Sequence, residues 1–537
     1  MIGRVRIPGA RPVLSCADAS AFEQGLFGGD PAREWPAMRR AGRAVGRAVL
    51  ADLEEPGGAS NPLEMLVLCG KGHNGGDALL ATIHVLDTRP AARADVLVVP
   101  DFSALRPLAR RCVEELQRAH GERVRWMCVS GREDGTDAAR VRAQCRSRRY
   151  DLCLDGIHGM QFRPPLRDPV GWLLGLVADH TAIRLRAAID LPSGIGDASD
   201  PDAFRADFTY ATGVAKAPLF DPANRDRLGR VRFLDLGFFE GRENPGVDNA
   251  GRFVLGPEVV RDLGALRQAH ADKRTFGHLF VVSGSRDMPG AVMMSVESAL
   301  CSGVGLVTAF VPEGMATAAA ARLPEAMWVP MPETPGGGLA LEGRAAVVAR
   351  ATRCTALLVG PGLGRDRETR VLVRELLEAI DVPTVLDGDA LQPDLVRARR
   401  TAPLVLTPHA GELARIAEGS AHATDEDLLS ICASIGATIV AKGAPTRIAN
   451  SDTIWISPHG GPVLARGGSG DVLAGLVAGL LATGTEPVLA SCRGTVWHGL
   501  AADALARRGG SSSVRLTRIT KHLAEVLREA SREVGHE

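Results

Sequence analysis

The stretch ARGGSGDVLAGLVAGLL, Ala465 to Leu481, sets three glycines and one carboxylate, Asp471, in front of a long apolar run. A glycine-rich turn that opens into a helix leaves the first backbone N–H groups without intrahelical acceptors and exposes the positive end of the helix dipole. The segment therefore predicts an anion site, with phosphate the obvious occupant. A bare aspartate at such a helix mouth is expected to stay ionised and to be a weak base. Bound polyphosphate pushes its pKa upward and competes for the same donors. Asp471 then takes a proton from an attacking hydroxyl, while Gly468, Ser469 and Gly470 hold the charge on the transferred phosphoryl group. Taken alone, a plain N-cap is as good a reading of the same residues.

Outward from this segment, short Val/Leu/Ile runs alternate with longer Ala/Leu/Arg segments: MLVLC, ADVLVVP and RVRWMCV in the first half, HLFVVSGS, LVTAFV, ALLVG, VPTVLD, PLVLTP and ATIVAKG in the second. The rhythm predicts parallel sheets covered by helices, an α/β class whose ligands bind in the turns after the strands. A chain of 537 residues exceeds one compact core. The rhythm pauses after GRVRFLDLGFF, Gly229 to Phe239, so we expect domains over 1–240 and 256–537 with a linker over 241–255. VPMPETPGGGLALEG, Val329 to Gly343, is expected to be a surface loop. The 63 basic and 63 acidic residues balance, which disfavours nucleic acid or a membrane surface as partner and leaves small molecules. The 10 cysteines show neither a CxxC pair nor zinc-ligand spacing, which points to reduced thiols in a cytoplasm. No apolar run reaches the ~18 residues of a membrane span, and MIGRVRIPGARPVL lacks a signal-peptide core.

Six motifs occur in order in the second half: TFGHLFVVSGSRDMPGAVMMSVESALCSGVGLVTAFVPE (Thr275 to Glu313), LLVGPGLGRD (Leu358 to Asp366), VLDGDAL (Val385 to Leu391), LTPHAGELARI (Leu406 to Ile416), VAKGAPTRIA (Val440 to Ala449) and GGSGDVLAG. The set closely resembles the ADP- or ATP-dependent NAD(P)H-hydrate dehydratases, over about Gly256 to Asp503. The resemblance implies a ribokinase-like α/β domain with Asp471 as catalytic base in contact with the hydrated nicotinamide. It also implies a hydrate site lined by Ala291, Gly364 and His409, and adenine nucleotide held by Lys442, Gly443, Ala444, Pro445, Thr446 and Gly470. Asp387, Asp389 and Glu412 would support Mg²⁺, partly through water. Singly, His409 reads as a turn cap and Asp389 as a helix cap. Gly461, Leu464, Arg466 and Ser469 stand where the family has Asn, Met, Thr and Thr; Arg466 beside the anion site leaves the nucleotide preference open. The implied chemistry phosphorylates the C6 hydroxyl of hydrated NADH or NADPH, with ADP as the expected donor giving AMP and phosphate. Elimination then restores the ring.

In the first half, CGKGHNGGD (Cys69 to Asp77) contains a literal GxGxxG, Gly70, Gly72 and Gly75. A dinucleotide fingerprint wants an acidic residue closing the next strand, whereas Asp95 precedes VLVV. AMRRAG, CGKGHNGGD, YDLCLDGIHGMQF, AAIDLPSGI and ADFTYATGVAKAPLF instead resemble, in order, the NAD(P)H-hydrate epimerases over about residues 13–238, a Rossmann-like three-layer domain. The two halves together are similar to the fused bifunctional repair enzymes acting on NADHX and NADPHX. The resemblance implies a K⁺ held by Asn74, Asp155 and Ser193, whose neutral oxygens and carboxylate suit a hard cation. It implies dinucleotide-binding loops at His73, Asn74, Gly75, Gly76 and Asp77 and at Gly159, Met160, Gln161, Phe162, Arg163, Pro164 and Pro165. Asp190 would move the proton during inversion at C6. Plain turn formation is the ordinary reading of Asp155 and Asp190. His73 and Ala78 replace an Asn and a Gly, and GMQF replaces GTGL, so the covering loop is expected to gain bulk. A homo-oligomer is expected. Two rival readings are a ribokinase-like small-molecule kinase and an N-terminal domain that only binds ligand or aids assembly.

Overall fold

The computed structural model describes residues 6–58, 60–241, 251–417, 419 and 423–532. The chain divides into two compact units: residues 11–250 with 507–510, and residues 251–506 with 511–537 and the first ten residues.

Every strand of the first unit's seven-stranded sheet is parallel to its neighbours. After β1 (Ala10–Leu14), the strands are β2 (Glu64–Cys69), β3 (Arg93–Val98), β4 (Val124–Cys128), β5 (Tyr150–Gly156), β6 (Ile183–Ile189), β7 (Phe208–Thr212), β8 (Ala215–Lys216) and β9 (Arg230–Leu234). Their order in the sheet is β4-β3-β2-β5-β6-β7-β9. The order reverses between β2 and β5, so the crevice of this sheet opens at the carboxyl ends of these two strands. The runs are apolar at consecutive positions because both faces are covered: β5 is buried from Tyr150 to Gly156. Asp95 lies inside β3, where it accepts from the Tyr150 hydroxyl at 2.8 Å, far from the dinucleotide role. Gly70, Gly75 and Gly76 serve packing: a Cβ on Gly75 would lie 2.0 Å from the Gly70 carbonyl oxygen, whereas one on Gly72 would meet nothing within 4 Å. Helix His73–Thr88 begins at His73, so His73 to Asp77 form its first turn and not the loop expected.

In the second unit the strands are β10 (Arg252–Leu255), β11 (His278–Val282), β12 (Leu306–Pro312), β13 (Met327–Met331), β14 (Ala356–Val359), β15 (Thr384–Leu386), β16 (Leu404–Leu406), β17 (Ala437–Ala441), β18 (Thr446–Ala449) and β19 (Ile454–Ser457). They lie in the order β13-β12-β11-β14-β15-β16-β17-β18-β19-β10. The run from β13 to β17 is parallel, and β17-β18-β19 is an antiparallel meander. Of the linker expected over 241–255, residues 242–250 lie outside the described residues, and Arg252–Leu255 is already a strand pairing with β19. Val329 to Met331, expected in a loop, complete β13; the loop follows it.

Helix Ser469–Ala482 is buried from Val472 to Ala482, which explains its apolar sequence all round. It packs on helix Pro289–Cys301 through small residues: a Cβ on Gly475 would lie 2.1 Å from both Ser295 O and Ser298 Oγ. Ser295 Oγ donates to the carbonyls of Ala291 at 3.1 Å and Asp471 at 3.0 Å, tying together the starts of the two helices. Gly475→Ala is therefore expected to cost about 1–3 kcal/mol by overpacking. Thermal denaturation should show the second unit melting earlier, with chemistry at the first unit unchanged.

Candidate active sites

In the second unit the predicted residues converge at the carboxyl ends of the strands. Lys442 follows β17, Asp387 follows β15 and Glu412 stands in the first turn of helix Ala410–Ala417 after β16. The Lys442 ammonium lies 2.9 Å from Asp387 Oδ1 and 3.7 Å from Glu412 Oε2. Asp387 is held further by the Thr407 hydroxyl at 2.7 Å. Asp389 accepts the Gly364 N–H at 3.1 Å, which joins the GPGLG loop to this carboxylate group and removes Asp389 from a capping role. Ala291, in the first turn of its helix, packs on that loop: a Cβ on Gly362 would lie 2.8 Å from Ala291 Cβ. A Cβ on Gly470 would lie 3.0 Å from Lys442 Nζ, so the glycine turn and the ammonium are adjacent. Gly443 to Pro445 form the exposed hairpin between β17 and β18, closed by Thr446 Oγ1 donating to Gly443 O at 3.1 Å.

The helix mouth is open for an anion. Its N-cap is Gly468 in the left-handed region, φ 94°, and no side chain caps it, so the plain N-cap reading fails. His409 has in part the ordinary role: Nδ1 accepts from Gly411 N at 3.0 Å, capping the next helix, while Nε2 lies 3.2 Å from Glu412 Oε1. Arg466 departs from expectation. Its guanidinium donates to the carbonyls of Ser511 at 2.8 Å, Ser512 at 2.7 Å and Val514, which turns it onto the chain before the last helix.

Asp471 is pushed up to about 6 by burial, with Asp387, Glu412 and Asp389 adding repulsion and Lys442 opposing it. The fold itself thus raises Asp471 before any phosphate is bound, while a value of about 6 leaves it ionised at neutral pH as expected. A base acts ionised, so proton abstraction is lost as pH falls through the folded pKa. Initial rates at low substrate are expected to fall about tenfold per pH unit below about pH 6. A profile flat down to pH 5 would contradict this assignment.

The first unit builds a second constellation around Asp190, at the end of β6. Asp190 is the one described non-glycine residue with positive φ, 64°, a conformation that costs on the order of 1–3 kcal/mol and recurs at active sites. Its Oδ1 is ion-paired with Lys216, whose side chain is 1% exposed and also donates to Thr212 O at 3.2 Å. On the other side, the position a Gly159 Cβ would take lies 3.6 Å from Asp190 Oδ2 and 3.5 Å from Asn74 Cγ. The missing side chain thus leaves a cradle between Asp190 and Asn74. Asn74 Nδ2 donates to His158 O at 2.6 Å. Asp155 accepts from Ser193 Oγ and Ser193 N, each at 2.7 Å, and from Ile157 N at 3.2 Å. Burial raises Asp155 to about 6 against these bonds from Ser193 and Ile157.

Phe162, expected as added bulk over the substrate, is buried against Gly196 and stacks on His158 with ring centroids 5.2 Å apart. Met160 packs, partly buried, against the cluster of Ala19, Leu26, Ala37, Val214 and Phe238, and Arg163 donates to the Phe162 carbonyl at 2.9 Å. Gln161, Arg163, Pro164 and Pro165 remain on the loop surface. His73 is half-exposed, 3.3 Å from Glu34. Gly76 is buried in its helix, where a Cβ would strike Met38.

Among the described residues no three His, Cys, Asp or Glu side chains are arranged to hold a metal ion directly. The carboxylates about Lys442 are oxygen donors of the kind Mg²⁺ takes through retained water and ligand phosphates, so they fit in chemistry. For a monovalent cation, Asn74, Asp155 and Ser193 fit as an all-oxygen set with lone pairs remaining after their internal bonds.

Sequence reasoning missed Lys216 and the ion pair of Lys442. A signal was available: of the 63 basic residues only Lys71, Lys216, Lys273, Lys442 and Lys521 are lysines. Two of these five are the ammonium groups of the two constellations, Lys216 buried and Lys442 partly buried. A compact point charge fits between carboxylates where a planar guanidinium does not.

Comparison with known proteins gives two family matches. Residues 279–525 match the Carb_kinase family, described as NAD(P)H-hydrate dehydratase, and residues 36–217 match the YjeF-related protein N-terminus family. The chain is 33% identical over 483 residues to the bifunctional NAD(P)H-hydrate repair enzyme Nnr of Moorella thermoacetica, covering 88% of each chain. It is 35% identical over 513 residues to the enzyme of that name from Gloeobacter violaceus, covering 92% of this chain and 94% of the other. Over 245 residues it is 36% identical to the ADP-dependent (S)-NAD(P)H-hydrate dehydratase of Xanthomonas campestris pv. campestris, covering 45% of this chain and 84% of the other.

Proposed function

The chain belongs to the bifunctional NAD(P)H-hydrate repair enzymes, and from that premise we propose how its two constellations divide the work. It interconverts the R and S epimers of hydrated NADH and NADPH, and dehydrates the S epimer to NAD(P)H at the expense of an adenine nucleotide.

Dehydration belongs to the second unit. The nucleotide phosphates sit on the Gly468–Gly470 turn, whose uncapped N–H groups and helix dipole hold the charge that builds on the transferred phosphoryl group. Lys442 and the hairpin Gly443 to Thr446 fix the rest of the nucleotide. Ala291, Gly364 and His409 position the hydrated ring, and Asp471 takes the C6 hydroxyl proton as that oxygen attacks phosphorus. Loss of phosphate from C6 and of a proton from C5 restores the ring double bond. Mg²⁺, when bound by Asp387, Asp389 and Glu412 largely through water, screens the phosphate charge. Epimerisation belongs to the first unit, with Asp190 as its proton acceptor and the Asn74 and Gly159 segments holding the dinucleotide. Asn74 in the first turn of helix His73–Thr88, Asp155 in β5 and Ser193 after β6 would hold K⁺, which would supply a positive charge joining these three segments.

The observation that carries this reading is the half-buried Asp471 in the first turn of an uncapped helix whose Gly470 lies against the Lys442 ammonium. We read ADP as the donor, giving AMP and phosphate, in a reducing cytoplasm where the ten cysteines stay free. The test is stoichiometry: one phosphate and one AMP released per NADH formed, with no phosphorylated product accumulating. A stable phosphorylated product would instead mark a small-molecule kinase.

A further inference from the structure

Lys216 is the ammonium ion-paired with Asp190, and the carboxyl groups of Asp190, Asp77 and Glu23 act electrostatically upon it or upon one another. Among the described residues only Asp190 has the Lys216 ammonium as its ion-pair partner. Asp77 projects from the first turns of helix His73–Thr88, three residues after Asn74 and so on the same helix face. Its Oδ1 is buried and has no hydrogen-bond partner in the protein. A buried carboxylate with no counter-ion costs far more than the neutral acid does. One cation therefore cannot keep all three groups ionised, and the group it touches is the one that stays charged.

We propose that Lys216 gives two carboxyls of the epimerase pocket opposite roles, keeping Asp190 as the carboxylate base and leaving Asp77 as the neutral acid. The proposal rests on the epimerase reading and names the groups that move its protons. Burial raises Asp77 well above the ordinary carboxylate range, with Asp190 and Glu23 adding to the shift and Lys216 opposing it. Asp190 has an ion-pair partner and Asp77 Oδ1 has none, and two carboxyls in such opposite surroundings are the usual arrangement for acid and base in one pocket.

The substrate chemistry asks for both. C6 of the hydrated ring carries a hydroxyl and is bonded to the ring nitrogen. Asp77 gives its proton to that hydroxyl, the C6–O bond breaks to release water, and the nitrogen lone pair forms C6=N. Water then adds to the other face of C6; the new C6–O bond forms as the C=N electron pair returns to nitrogen, and Asp190 takes the proton of the added water. The net change is inversion at C6, with one proton moved from Asp77 to Asp190. Solvent returns that proton before the next turnover. Lys216 touches neither bond and is a positioning residue.

The full-length chain is tested with purified R and S hydrates in the absence of nucleotide, in water enriched in ¹⁸O. The expected result is one ¹⁸O at C6 per inversion, with Asp77→Asn lowering the rate constant about a hundredfold at little change in KM. Lys216→Met should lower the interconversion rate constant with KM little changed, and Lys216→Arg, which keeps the charge, should restore it in part. Inversion without ¹⁸O uptake, or an Asp77→Asn chain as fast as the parent, overturns the proposal alone. A parent chain that does not accelerate interconversion overturns the epimerase reading and the proposal with it.

Discussion

Asp471→Asn is expected to lower nucleotide-dependent dehydration by about 10²–10⁴-fold while leaving epimer interconversion at its parental rate. Asparagine keeps the size of the side chain and loses its basicity. The substitution also removes a charge that burial disfavours and that Asp387, Glu412 and Asp389 repel. The fold is therefore expected to become no less stable. Thermal denaturation and nucleotide binding check that point, and the rate of NADH formation from the S hydrate reads the chemistry. A variant that keeps a tenth of the parental rate would show that the proton leaves by another route.

Asp190→Asn has the converse effect. Interconversion of R and S hydrates should fall to the spontaneous rate, and dehydration of pure S hydrate should be unchanged. This substitution carries a structural cost that Asp471→Asn does not. Lys216 is 1% exposed and loses the carboxylate that balances its charge, and breaking a buried pair by removing one partner costs on the order of 3–5 kcal/mol. Asparagine tolerates the left-handed backbone at this position better than most residues, which limits further loss. Chromatographic separation of the epimers over time gives the rate. Unchanged interconversion would remove Asp190 from the chemistry and leave the first unit a binding module.

Both substitutions ask whether chemistry inferred from sequence sits where the structure puts it. The βα rhythm was legible because parallel strands buried on both faces read as continuous apolar runs, as from Leu279 to Val282 and from Leu357 to Val359. The helix behind GGSGD was legible from its glycines and its apolar length. Less visible was anything that depends on what a side chain meets across the fold. Arg466 is next to the anion turn in sequence, and three carbonyls of Ser511 to Val514 draw it away. His73 to Asp77 look like a loop because of their glycines, yet those glycines are what let the helix begin close against Gly70. The pKa of Asp471 could not be read locally, since its neighbours Asp387 and Glu412 lie some 84 and 59 positions earlier in the chain. Lys216 was hidden for the same reason, although its rarity as a lysine in an arginine-rich chain marked it.

The central claim is that one chain carries both activities. Its most direct test follows the reduced-nicotinamide absorbance when the protein meets an epimeric mixture of NADHX with Mg²⁺ and K⁺, with ADP or ATP in parallel. All the NADH should be recovered with ADP, because the R fraction is drawn through the S epimer faster than it converts unaided. Recovery of the S fraction alone would contradict the two-activity account, and recovery with neither nucleotide would contradict the dehydratase itself.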